Sequence, residues 1–231
     1  MIFNLEFFKK KPHSTGASSE SNTLEYWRSR ARKFGKQAVI SIDHPVDHFE
    51  HVKNRDLNIL FPYLQKFLTG KETLIMDFGC GVGRFTAELA KLGRCKAVGV
   101  DPTEELLKLA PKSKNVSYFP IKNGEISLPN GSVDVIWIYA VLGCITEDGI
   151  KATCQQLARV LKENGLLFLV ENTTETPDSK HYHYRSAKKY MQMINFAQLT
   201  HVHDYFDKNE KFEETFSILV GRKKQKVISG Q

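Results

Sequence analysis

A short apolar run that ends in an acid and breaks at once into alternating glycines leaves few folds open to a chain. Here the run is Leu74-Ile75-Met76-Asp77-Phe78, and Gly79-Cys80-Gly81-Val82-Gly83 follows. Glycine is required where backbone turns through positive φ or admits a ligand with no Cβ in the way. Arg84–Leu92 then sets Phe85 and Leu89 four residues apart on one helical face, with Gly93 as a stop. The reading is strand, tight turn, helix, with the helix's free N–H groups aimed over the turn.

The spacing narrows the ligand. A dinucleotide turn runs G-x-G-x-x-G and seats a pyrophosphate on the helix. This chain has G-x-G-x-G, and Asp77 at the strand end suits a cation better than a pyrophosphate. A second apolar strand, Ala97-Val98-Gly99-Val100, ends in Asp101, placed to accept hydrogen bonds from two ribose hydroxyls. Acid, glycine turn and second acid together describe a nucleoside that carries an amine rather than a phosphate chain.

Four pieces in order now resemble the class I S-adenosylmethionine-dependent methyltransferases, in their "type 11" small-molecule group. They are Asp77–Phe85, Val98–Pro102, Leu128–Ile136 and Arg159–Gly165, within a span of about 72 to 172. The resemblance implies a Rossmann-like, doubly wound α/β fold with a seven-stranded, mostly parallel sheet and an N-terminal helical lid. It implies S-adenosylmethionine as cofactor and S-adenosylhomocysteine as product. The cofactor residues it marks are Asp77, Gly79, Cys80, Gly81, Gly83, Asp101 and Pro102. Asn123, Gly124 and Glu125 follow in the adenine loop, and Ile138 and Tyr139 beside the sulfonium.

The 231 residues fit one domain of this kind, expected as a tail (1–22), a helical lid segment (23–70), a cofactor-binding domain (71–222) and a basic tail (223–231). The four cysteines form no C-x-x-C pair, which predicts free thiols in a reducing, cytoplasmic setting. No apolar run reaches the length of a membrane span. Net charge of +7 is compatible with anionic partners, nucleic acid among them, without selecting one.

Along the chain, Met1–Phe8 is apolar and Lys9-Lys10-Lys11 basic, in the wrong order for a signal peptide. Residues 12–23 are rich in Ser, Thr and Gly and read as a flexible link. Leu24, Trp27, Ala31 and Phe34 share one helical face, with Tyr26, Trp27 and Arg30 as lid contacts in the resembled family. His44, His48 and His51 have helical spacing, but Pro45 separates the first from the other two and no metal is expected. Phe49, Val52, Leu57, Leu60, Leu64 and Phe67 continue a helical stripe to Gly70.

Strands are read at Val116–Ile121, Val133–Val141, Leu166–Val170, Thr200–Tyr205 and Phe212–Gly221, the last antiparallel. Helices lie between them, one ending at Gly165 and one over Lys188–Leu199. The fourth strand lacks the Asp/Asn-Pro-Pro-aromatic motif of amino-methylating nucleic-acid enzymes, and no Pro-Cys pair serves cytosine C5 attack. Cys144 stands where relatives often carry His. The polar stretch 173–186 is where this family builds acceptor contacts. His181 and His183 are candidate bases there and Arg185 a candidate anion fork. The expected reaction is methyl transfer to oxygen or nitrogen of a small-molecule acceptor, with RNA or protein as the alternative acceptor.

Overall fold

The computed structural model describes residues 16–41, 44–45, 48–208 and 213–225. Helices α1 (Gly16–Phe34) and α2 (Phe49–Gln65) come first. Then follow β1 (Leu74–Phe78), α3 (Thr86–Gly93), β2 (Lys96–Asp101), α4 (Glu104–Leu107), β3 (Val116–Pro120) and β4 (Val133–Tyr139). After these come α5 (Glu147–Val160), β5 (Leu161–Asn172), α6 (Ala187–Met193), β6 (Ala197–Lys208) and β7 (Glu213–Lys223).

The seven strands form one sheet in the order β3-β2-β1-β4-β5-β7-β6. The first five in that order run parallel, while β7 is antiparallel to both β5 and β6. The chain winds outward from β1 to β3, then returns to the other side of β1 at β4. Loops leaving β1 and β4 therefore part, and the crevice beyond their carboxyl ends is where such sheets take ligands. This is the Rossmann-like α/β architecture expected from the motifs.

Alternating side chains of the buried strands feed two apolar layers. Met76, Val98, Ile136, Ile138 and Leu167 pack on one face against Ile150, Leu157 and Tyr190. Ile75, Val135, Trp137 and Phe168 pack on the other against Leu60, Leu64, Phe85 and Leu89. Trp137 and Phe168 lie stacked, centroids 5.0 Å apart. A third cluster joins Ala31, Ala38, Phe49 and Val52 to Val82 and Leu106, seating the N-terminal helices against the glycine turn.

Several boundaries differ from the sequence reading. The first helix begins at Gly16, inside the stretch expected as a link. Helix α3 starts only at Thr86; Gly93 is its last residue and Arg94 takes the left-handed position, φ 50°. Helix α5 ends at Val160 rather than Gly165, because Leu161 already pairs with Val133 in the sheet. The helix expected to reach Leu199 stops at Met193, since Ala197 is drawn into pairing with Lys223. Arg222 and Lys223 are no solvated tail: Arg222 donates to the carbonyls of Asn164 and Phe67, and Lys223 to that of Leu161. The Phe- and Lys-rich stretch 1–11 lies outside the described residues.

Candidate functional site

The glycine turn closes under its own backbone. Gly79 and Cys80 N–H both donate to the Val100 carbonyl, at 2.8 and 3.1 Å, and Gly83 N–H to that of Cys80 at 2.8 Å. Gly79 has φ 71°, and a Cβ there would collide with the Val141 side chain. Gly83 has φ 70°, and a Cβ would stand 2.5 Å from the Tyr118 hydroxyl. No other residue type fits either position.

Two buried acids flank the turn. Asp101 accepts from Gly81 N–H at 2.9 Å and Thr103 N–H at 2.7 Å, one bond on each oxygen. A carboxylate oxygen accepts more than one hydrogen bond, so room for further donors remains. Asp77 accepts from the Thr86 hydroxyl at 2.6 Å. Burial pushes Asp101 up to about 6 and Asp77 up to about 7. A buried carboxylate so sparsely satisfied favours a cationic partner. That donor set fits an amine-bearing nucleoside.

Cys80 is buried with its thiol pushed well up by the same burial, an inert packing group. Pro102 is exposed beside Asp101. Asn123 and Gly124, both at positive φ, form an exposed turn closed by Glu125 N–H donating to the Lys122 carbonyl at 2.9 Å. Ile138 is wholly buried in the core, so only its backbone can serve a ligand. Tyr139 instead faces an open cavity.

That cavity, about 550 Å³, lies between α1, α2, the ends of β4 and β5, and the 173–186 segment. Tyr26, Trp27 and Arg30 line it from the first helix. Arg30 is held by the carbonyls of Ala38 and Ile40, each at 3.0 Å. The Tyr26 ring stacks on His181, centroids 4.1 Å apart, joining α1 to the 173–186 segment. Burial holds His181 below its ordinary value, and its Nδ1 is buried without a partner. Cys144 also lines the cavity, its thiol pushed up to about 12 by burial.

The three residues expected from the 173–186 stretch separate. His181 faces the cavity, while His183 does not line it and pairs with Asp178 at 2.8 Å. Arg185 is buried, and its guanidinium donates to the carbonyls of Leu142 and Ile145 at 3.0 and 2.8 Å. It pins the loop after β4 and does not line the cavity: the loop's backbone carbonyls hold the guanidinium that was expected to fork onto an anion. Glu171 grips the same loop, accepting from the N–H groups of Val141, Leu142 and Gly143 at 2.9, 2.7 and 3.3 Å.

Sequence reasoning missed a buried ion network beneath the cavity. Asp56 on α2 is completely buried and receives Tyr139 hydroxyl at 3.0 Å, Arg84 at 3.3 Å and Arg55 at 2.8 Å. Arg55 also binds Asp207 on β6. A signal existed: Phe49, Val52, Asp56, Leu60 and Leu64 are the buried positions of α2, so an acid interrupts an apolar stripe at helical spacing. Asp207 left none. Among the described residues, no group of three or more His, Cys, Asp or Glu converges as a metal site, and no helix is long and apolar enough to cross a membrane.

Comparison with known proteins agrees with this geometry. A family model described as "Methyltransferase domain" matches residues 75–165. The N-terminal Xaa-Pro-Lys N-methyltransferase 1-B of Xenopus laevis is 32% identical over 159 residues, covering 63% of this chain and 70% of that protein. The N-terminal Xaa-Pro-Lys N-methyltransferase 1 of Mus musculus is 32% identical over 160 residues, covering 64% and 71%. A Leishmania major S-adenosylmethionine-dependent methyltransferase superposes with a TM-score of 0.67 at 21% identity, over 87% of this chain and 82% of that one. Magnesium protoporphyrin IX methyltransferase from Synechocystis, solved with bound S-adenosylhomocysteine, gives 0.65 at 14%, over 89% and 100%. At those identities the two structures speak to the fold alone. Glycine turn, paired acids, strand order and relatives agree: the chain belongs to the class I S-adenosylmethionine-dependent methyltransferases.

Proposed function

We propose that this methyltransferase acts on an amine, and foremost on the α-amino group of a peptide or protein N-terminus. The cofactor is S-adenosylmethionine. Bound, it supplies an electrophilic methyl group on its sulfonium. In this reading Asp77 takes the methionyl ammonium, Asp101 the ribose hydroxyls, and Arg84 the methionyl carboxylate. The turn 123–125 borders the adenine, and Tyr139 with Ala140 floors the acceptor cavity. The N-terminal segment acts as a lid over the cofactor-binding domain.

The observation that carries the amine reading is which groups in the cavity can accept a proton. Burial pushes the thiol of Cys144 and the phenols of Tyr139 and Tyr182 up, so none is a base near neutrality. Burial holds His181 below its ordinary value, and its Nδ1 is buried without a partner. An α-ammonium releases its proton near pH 8 and a lysine ammonium near 10.4. An imidazole that burial holds below its ordinary value suits the first better than the second, and any alcohol least. The residues then align the amine with the methyl and exclude water.

The relatives named for N-terminal Xaa-Pro-Lys N-methylation support this acceptor over the small molecule expected from the sequence. The test supplies methyl-labelled S-adenosylmethionine with a synthetic peptide beginning Ala-Pro-Lys, and with the same peptide acetylated at its N-terminus. Label on the free peptide and none on the acetylated one is expected. Label confined to small molecules of a fractionated lysate would return the acceptor to the small-molecule class. Label in nuclease-sensitive material would move it to RNA.

A further inference from the structure

We propose that Thr86 is a positioning residue for the cofactor's methionyl ammonium, its hydroxyl anchoring one oxygen of Asp77 and leaving the other to the ammonium. The inference rests on the assignment of that ammonium to Asp77. Thr86 opens α3, one turn beyond the glycines, and is completely buried. Its hydroxyl donates to Asp77 Oδ2 at 2.6 Å. A buried hydroxyl must find a partner, and this one spends its proton on the acid rather than on a nearby carbonyl.

The surroundings give that bond its consequence. Around Asp77 stand Arg84 and the Cys80 thiol from the turn, Asp101 from β2, Thr86 from α3 and Tyr118 from β3. Arg84 favours the ionised acid, while burial and Asp101 oppose it. The Tyr118 hydroxyl is buried beside Thr86 and pushed up to about 12 by burial, so it supplies no charge. Thr86 is thus the one neutral donor bonded to Asp77 among the described contacts, and it acts on both orientation and ionisation. Without it, Asp77 would hold its proton to higher pH and lose its fixed rotamer.

The experiment is calorimetric titration of S-adenosylmethionine into the full chain across neutral pH, for wild type, Thr86→Val, Thr86→Ser and Asp77→Asn. A lost hydrogen bond to a buried charge predicts about tenfold weaker binding for Thr86→Val at pH 7. The pH at which affinity falls away should also move upward, because the acid now protonates more readily. Thr86→Ser keeps the hydroxyl and should restore both affinity and profile. A Thr86→Val protein with wild-type affinity, or with weaker affinity and an unmoved pH profile, overturns the proposal, since a packing role would lower affinity alone. If Thr86→Val fails to fold, Thr86→Ala carries the same comparison. Asp77→Asn separates the two readings: unchanged affinity there removes the ammonium assignment, whereas weakened affinity with an indifferent Thr86→Val removes only this inference.

Discussion

The glycine turn and the cavity, proposed as the cofactor half and the acceptor half of this molecule, are built by different means. Around the glycine turn, the bonds that shape the site are short in sequence and mostly backbone: Gly79, Cys80 and Gly83 N–H to carbonyls, and Asp101 to Gly81 and Thr103 N–H. Around the cavity they join side chains far apart, Tyr139 to Asp56 across 83 positions and Arg55 to Asp207 across 152. The first kind is written into a local motif. The second exists only once the whole sheet has closed. Substitutions should divide accordingly.

The largest effect is expected in the cofactor half. Gly79→Val adds a β-branched side chain at φ 71°, against Val141. Strain and overlap together cost about 4 kcal/mol, roughly 1,000-fold in cofactor affinity, readable by calorimetry. Next, in the acceptor half, His181→Ala should lower kcat about 100-fold while leaving cofactor affinity near wild type. A matching loss of cofactor affinity would mean the two halves are not separable at the Tyr26–His181 stack. Asp101→Ala should weaken the cofactor at least about tenfold, ~1.4 kcal/mol; an unchanged titration would remove the ribose assignment.

Smaller shifts sharpen the division. Asp207→Asn breaks the Arg55 pair on β6 but leaves Arg55 with Asp56. About 1 kcal/mol of stability, seen as a lowered Tm, should go without change in cofactor affinity. pH should separate the halves as well. Asp77 and Asp101 have folded values raised to about 7 and about 6. The stability they contribute is therefore present below the ordinary carboxylate range and lost as pH rises through those values. In the proposed binding mode the cofactor needs both acids ionised, so the Tm gain it confers should grow from about pH 5.5 to 8. A gain independent of pH would mean that neither acid meets the ligand.

The same division explains what the sequence made legible. The strand ending at Asp77, the glycine turn and the strand ending at Asp101 could be placed because strand, turn and helix are consecutive, and each residue's environment comes from its neighbours. A mostly parallel sheet covered on both faces followed from alternating apolar strands and helices; the order of its strands did not. The places of Arg185 and His183 away from the cavity were not legible, because their partners, the Leu142 carbonyl and Asp178, depend on how the 173–186 segment folds back over β4. Helix ends failed where pairing overruled propensity, as at Leu161 and Ala197. Asp56 was the recoverable miss, an acid at the spacing of Phe49, Val52, Leu60 and Leu64.

The position of β7 has a bearing on biosynthesis. It follows β6 in the chain yet lies between β5 and β6, so β6 has no neighbour in the sheet until β7 has been synthesised and inserted. On a ribosome the glycine turn and its acids emerge early and can begin to organise, while Asp207 waits for residues beyond it. Closure of the cavity wall that Asp207 and Phe216 supply would then arrive late, with the last strand.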